Sequence, residues 1–365
     1  MITRVRLKTI IMSVAIVLGT VPALAQDVQI GVFGLFRPKQ LTLRAPGGNA
    51  LVLHASQTSF VLERSSGTDL AEICLSGDEV TVKIGTRALR APELRVASRA
   101  NGSVDFEIAV PGKISRQYRG TLEIKPADGA LVPVVTMDLE TAVASVVWAE
   151  STPGEPLEAL KALAIAARSY FVAGKGRHRI FAFCDTTHCQ FLREPPPAES
   201  PAAKAAAATR GLVLAYQLKP FAAMYTRSCS GRTRTPGELG IPDGPYPYYS
   251  VDCRYCRQHP SRWQSQVSVP DAVALRNSGE SARLRINRLR GWNFVPSNNF
   301  NTRNQGGRVV LDGTGSGHGI GLCQAGATAM AEAGANFRDI LAHYYPNTTV
   351  VSFDPAIEKP ARISE

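Results

Sequence analysis

The sequence predicts an α+β fold: a helical core packed on antiparallel β-sheet, preceded by a β-rich N-terminal region. Three observations lead there. From Val28 to about Thr136, short runs rich in β-branched and apolar residues are punctuated by Gly, Pro, Ser and Asn. From Asp138 the apolar spacing changes to that of helices. Beyond Gly211, strand signals return before two closing helical segments.

The N-terminal strands are read from Val28-Gln29-Ile30-Gly31-Val32, Leu41-Thr42-Leu43, Val80 to Ile84, and Tyr118 to Ile124. No helical period survives among them. Residues 138–150 and 156–172 then carry helical periodicity, and Pro156 suits a helix start. Glu194-Pro195-Pro196-Pro197 interrupts the chain before an alanine-rich helix that Gly211 ends. Strands are expected at Leu212 to Leu214, from Phe221 to Tyr225, and at Arg308 to Leu311. A Gly/Pro/Tyr-rich loop covers 235–250. The final helix opens with Asn336 and has Asp339 three residues on, the spacing of a capping box. The domain reading is therefore a β-rich region at 26–136, a core at 137–350 and a tail at 351–365.

The first residues point to export. Arg4, Arg6 and Lys8 precede an apolar stretch from Ile10 to Ala23, and Ala23-Leu24-Ala25 has the small-x-small form of a cleavage site. The stretch is shorter than the roughly 20 residues that span a bilayer. Residues 1–25 hold three basic and no acidic residues, so their removal lowers the net charge from +11 to about +8. That surplus favours an anionic polymer. An exported chain does not routinely meet nucleic acid, whereas cell-wall glycan carries carboxylates and fits the compartment. Periplasm or cell envelope is the expected location.

One acid stands out. At 100° per residue, Glu150 falls roughly 20° from Leu139, between Val143 and Val146 on the apolar stripe. Ser151-Thr152-Pro153-Gly154 ends the helix directly after it. A carboxyl placed there loses hydration, which disfavours its charged form and raises its pKa. The bland alternatives are a frayed helix end facing water, or a buried ion pair with Arg168. Arg168 and Tyr170 on the next helix are candidates for binding sugar hydroxyls or for orienting Glu150; a structural Arg and a core Tyr are the other reading.

The seven cysteines are too few for a disulfide scaffold and too clustered for scattered core thiols. His178, Cys184, His188 and Cys189 form H-x5-C-x3-H-C, a Cys2His2 set suited to tetrahedral zinc. Four protein ligands leave no open position, so such a zinc is structural. The alternative is a Cys184–Cys189 disulfide with unrelated histidines. Cys253-Arg254-Tyr255-Cys256 is a CxxC motif that Cys229 and Cys323 could join as a second metal site; disulfides are the equal alternative.

Together these segments resemble the SpoIID/LytB family, the stage II sporulation protein D group of cell-wall proteins. The resemblance rests on Val143 to Glu150, Pro156 to Ala162 and Ala166-Ala167-Arg168-Ser169-Tyr170. It continues through Cys184-Asp185-Thr186-Thr187-His188-Cys189-Gln190, Gly315 to Ala327 around Gly317-His318-Gly319, and Ile340-Leu341-Ala342-His343-Tyr344-Tyr345-Pro346. It spans roughly 130–350 in the same order. One departure is Cys229-Ser230-Gly231-Arg232-Thr233, where the family often has Ser-Gly-Gly-x-Thr. That cysteine-bearing turn, with CxxC and Gly321-Leu322-Cys323-Gln324, looks like the mark of a subgroup.

The resemblance implies a lytic transglycosylase that cuts between N-acetylmuramic acid and N-acetylglucosamine and leaves a 1,6-anhydro sugar. It implies Glu150 as sole acid/base and a structural zinc loop. The sequence displays no matched second acid at useful spacing. Tyr225, Asp252, His318 and Gln324 join Arg168 and Tyr170 as substrate-binding candidates; the other reading is a histidine that locks its turn by a hydrogen bond, and structural roles for Tyr225, Asp252 and Gln324. The family also includes amidase enhancers, so the rival expectation is a non-catalytic glycan binder that stimulates a cell-wall amidase.

Overall fold

The computed structural model describes residues 26–174, 176 and 178–353. The expected signal segment 1–25 and residues 354–365 of the expected tail lie outside the described residues.

Alternating residues from Gln40 onward turn inward, as in Ala50–Ala55 and Val104–Val110, where every second side chain is buried. That period-two pattern commits the N-terminal part to sheet. Twelve strands join one curled sheet. Its longest strand, Ile114–Ala127, pairs through its first half with Val104–Val110 and through its second half with Ala130–Asp138. From Val104–Val110 the sheet continues through Gln40–Arg44, Leu70–Ser76 and Glu79–Ile84 to Arg87–Ala91. On the other side Ala130–Asp138 pairs with Asp27–Gly31, setting Ile30 opposite Val135. All these pairings are antiparallel. The one parallel addition is Phe183–Cys184, which lies beside Ile30 and Gly31 and brings the cysteine-bearing loop to the sheet edge.

The helical core starts without a linker. Strand Ala130–Asp138 runs directly into α1 (Leu139–Glu150), whose cap is the Asp138 carboxylate accepting from the Thr141 amide at 3.1 Å. Helix α2 (Leu157–Ala173) follows, then α3 (Pro201–Ala208). Fully buried Ala162, Ala164, Ala166 and Ala167 let α2 approach its neighbours closely. It packs on α1, on α3, on strand Leu212–Tyr216, and on the late helices α6 (Gln324–Glu332) and α7 (Phe337–Tyr344). The Asn336–Asp339 capping box opens α7 as the spacing predicts.

The expected boundary near 136 falls inside a strand, and a single hydrophobic cluster runs from Val28 to Tyr345. The β-rich region and the helices therefore share a core. Two features depart from the sequence reading. Phe221 to Met224 is not strand; only Tyr225–Thr226 is, paired in parallel with Leu322–Cys323. Residues 262–314 form a subdomain of their own, in which strands Arg262–Val267, Phe300–Gln305 and Arg308–Thr314 accompany α5 (Val269–Arg290), two helical halves that meet at a kink at Gly279. Its separate small core includes Val267, Leu275, Ile286, Val295 and Leu311. The short α4 (Arg254–Gln258) contains the CxxC segment's second cysteine.

Candidate active site and metal centre

Glu150 is the last residue of α1, where Ser151 turns the chain into extended backbone. Val143, Val146 and Val147 on the same helix are fully buried. Part of Glu150 reaches the surface, but its carboxyl is packed deeply enough that burial is the strongest influence on it. Burial holds its pKa above the ordinary carboxylate value. A hydrogen bond from Gln324 and the positive charge of Arg227 pull the other way, and the negative charge of Glu155 adds to the rise.

Those partners arrive on two short parallel strands. Tyr225 stands opposite Leu322 and Thr226 opposite Cys323. Gln324 Nε2, one residue on, donates to Glu150 Oε2 at 3.2 Å. Arg227 Nη1 donates to the Glu150 carbonyl at 2.6 Å and to Gln324 Oε1 at 3.3 Å. Tyr225 donates its hydroxyl to Gln190 Oε1 at 3.0 Å, and Gln190 Nε2 in turn donates to the Ala167 carbonyl of α2. Burial together with the Glu150 carboxyl raises the Tyr225 phenol well above its usual range, so Tyr225 keeps its proton. Tyr170 belongs to the same buried group of phenols.

Arg227, Glu155 and Gln190 were not singled out from sequence. Gln190 sits in the quoted cysteine loop, but Arg227 carried no signal. Glu155 is a neighbouring acid whose charge acts on Glu150. Its carboxylate accepts from Thr152 Oγ1 at 2.6 Å and lies 3.8 Å from Arg227 Nη1.

Arg168 requires a correction. It is 0% exposed, and its guanidinium donates in a fork to both oxygens of Glu140, at 2.9 and 2.6 Å. It also donates to the Leu212 and Ala206 carbonyls. A side chain so enclosed ties α2 to α1, α3 and the following strand.

His318 lies in a loop whose four glycines, 315, 317, 319 and 321, all have positive φ. A Cβ at Gly317 would collide with Thr226 Oγ1, and one at Gly321 with the Met224 carbonyl. The glycines thus let the loop press against the strand that carries Tyr225 and Arg227. His318 Nδ1 accepts from the Ile320 amide at 3.0 Å, which places any ring proton on Nε2. Asp252 is exposed, pairs with Arg257, and lines a cleft of about 370 Å3 with Arg232, Arg234 and Asn299. His343 spends Nε2 on the Asp252 carbonyl at 2.9 Å. A cavity of about 660 Å3 lies elsewhere, against Arg116, Tyr118 and the Pro195-Pro196 segment, and includes none of the Glu150 group.

The four loop residues converge. Ligand atoms of His178, Cys184, His188 and Cys189 all lie within 4.8 Å of one another. His178 Nε2 is 3.3 Å from Cys189 Sγ, and His188 Nδ1 is 3.6 Å from Cys189 Sγ and 3.9 Å from Cys184 Sγ. No disulfide joins Cys184 to Cys189. The Cys184 thiol is held down to about 3, chiefly through Cys189, with His188 and Thr186 adding. Beside it, Asp185 anchors the loop: its carboxylate accepts from the Phe33 amide at 3.2 Å and from Arg116 at 3.1 Å.

Fold and site thus define an α+β chain in which the carboxyl of Glu150 is packed among amide, guanidinium and phenol groups, and which also carries a compact Cys2His2 set. Residues 127–216 match the family model described as Stage II sporulation protein. An uncharacterised protein of Brachyspira hyodysenteriae is 26% identical over 270 residues, covering 65% of this chain and 73% of its own. Stage II sporulation protein D of Bacillus amyloliquefaciens is 26% identical over 268 residues, covering 62% and 78%. The amidase enhancer of Bacillus subtilis is 50% identical over 46 residues, 13% of this chain and 6% of its own. Over these stretches the chain is similar to the stage II sporulation protein D and amidase enhancer proteins.

Proposed function

We propose that this chain is an exported lytic transglycosylase of the bacterial cell wall, with Glu150 as its acid/base. The observation that carries the reading is the Glu150 carboxyl: burial favours its protonated form, while Gln324 and Arg227 stand ready to stabilise the carboxylate. A group poised in this way can both give and take a proton.

In the reaction, Glu150 gives its proton to the glycosidic oxygen as the bond to muramic C1 breaks, freeing the N-acetylglucosamine hydroxyl. The muramic C6 oxygen closes on C1, and its proton passes to the Glu150 carboxylate. The acid is regenerated and no water is consumed. The nucleophile belongs to the substrate, so no carboxylate is needed on the opposite face, unlike most glycosidases. Glu155, bonded to Thr152 and near Arg227, supports the charge balance rather than serving as that second group. Tyr170, Tyr225, His318, Gln324 and, in the neighbouring cleft, Asp252 are the proposed contacts for the glycan.

The donor set of His178, Cys184, His188 and Cys189 fits one tetrahedral zinc ion. Four protein ligands fill the coordination sphere, so the ion supplies structure and no chemistry. It would hold the loop to strand Asp27–Gly31 and thereby fix Gln190 beneath Tyr225.

A second reading has its own support: the short 50% match is to a protein named amidase enhancer. On that reading the chain binds glycan and stimulates a partner amidase. Purified glycan strands decide between them. The wild type is expected to release anhydro-muropeptides, and Glu150→Gln to lose that activity by about 10²- to 10⁴-fold. Equal product from both proteins would overturn the enzymatic reading.

A further inference from the structure

The other four clustered cysteines come from three separate stretches of chain. Cys229 follows strand Tyr225–Thr226, Cys253 and Cys256 bracket the start of α4, and Cys323 is the N-cap of α6. All four are 3% exposed or less. Their sulfurs lie within 4.8 Å of one another, none is in a disulfide, and Cys256 Sγ is 3.5 Å from Cys323 Sγ. Each thiol interacts directly with the other three.

Two disulfides would make two close pairs, each about 2.05 Å between sulfurs, and would single out two contacts of the six. The observed cluster instead has all six. Four sulfurs at about 2.3 Å from a zinc ion stand roughly 3.8 Å apart along every edge of a tetrahedron. The surroundings suit a charged sulfur cage as well. Tyr344 Oη lies 3.4 Å from Cys253 Sγ, and Ser228 Oγ lies 3.5 Å from Cys256 Sγ, hydroxyls of the kind that steady metal thiolates. A Cβ at Gly326 would stand 2.6 Å from Cys253 Sγ, so glycine leaves the sulfur its room.

We propose that Cys229, Cys253, Cys256 and Cys323 bind a second zinc ion, as a closed tetrathiolate site distinct from the Cys2His2 loop. Its place in the chain gives it a purpose. Arg227 is two residues before Cys229 and Gln324 one after Cys323, and the Ala325 amide donates to the Arg227 carbonyl at 3.1 Å. The ion clamps together the two strands that present both partners of Glu150. Zinc content does not depend on what Glu150 does.

Metal analysis of the purified chain is expected to find about two zinc ions per molecule, about one in Cys256→Ser and about one in His178→Ala. Cobalt exchanged into the protein should show thiolate-to-metal absorption that weakens more in Cys256→Ser than in His178→Ala. Should Cys256→Ser be insoluble, Cys256→His decides in its place: retained metal with a weaker thiolate band supports the site, and an unchanged band overturns it. About one zinc in the wild type, abolished by His178→Ala, overturns the proposal. So does an unreduced mass lower by about four hydrogens, the signature of two disulfides.

Discussion

At the scale of single residues, Glu150 is held between opposing influences. Burial lifts its pKa, while Gln324 and Arg227 restrain the rise. Gln324 donates only to the ionised or acceptor oxygen, so its loss removes a stabiliser of the carboxylate and raises the pKa further. Activity that starts from the protonated acid is lost as pH climbs through that pKa. Gln324→Leu is therefore expected to move the alkaline limb of the kcat/KM profile upward, by about half a pH unit or more. A limb that stays put or moves down would show that the amide does not govern the proton on Glu150. The stripe containing Glu150 was legible because it is a local helical period. Arg227 was not, since its 77-residue separation from Glu150 leaves no periodic trace.

Among the elements, α2 holds the site together, and Arg168 is the pin. Its fork to Glu140 joins α2 to α1 across 28 residues of sequence, and its remaining bonds reach α3 and strand Leu212–Tyr216. Removing one partner leaves a buried charge uncompensated. Arg168→Leu is expected to cost about 3 kcal/mol or more, seen as a lower urea midpoint at unchanged slope. At temperatures where the variant is folded, its KM for glycan should match the wild type. A raised KM with unchanged stability would restore the substrate-binding role that the sequence allowed. The Gly315–Gly321 loop follows the same logic: its pattern advertises a special backbone, but only the facing strand explains why side chains are excluded there.

Across the whole molecule, one hydrophobic cluster extends from the first strand to α7. The β-rich region cannot then be a detachable appendage, although the change of periodicity near Asp138 suggests a boundary. Deleting residues 26–136 would expose the inner face of the sheet's helical neighbours and the edge that receives Phe183–Cys184. The shortened chain is expected to be insoluble or molten, with far-ultraviolet signal and no cooperative melt. A cooperative transition in it would refute the shared core. The subdomain at 262–314, with a small core of its own, is the part expected to open independently in hydrogen exchange.

By itself the sequence determined the α+β class, the helices around Glu150, the capping box and the close-spaced Cys2His2 loop. The helices, the capping box and the loop are each written within a span of about twenty residues or fewer, where helix period and turn chemistry act directly on neighbours, and the class follows from where such local patterns change along the chain. Helix α5 escaped because its arginines, serines and asparagines mask a thin apolar face. The tertiary structure alone decided that Arg168 serves Glu140, that Glu155 and Arg227 join Glu150, and that three remote stretches bring four thiols into one cage. Those pairings are set by how the sheet curls and how α2 packs, and packing depends on the whole set of buried surfaces at once rather than on any local run of residues.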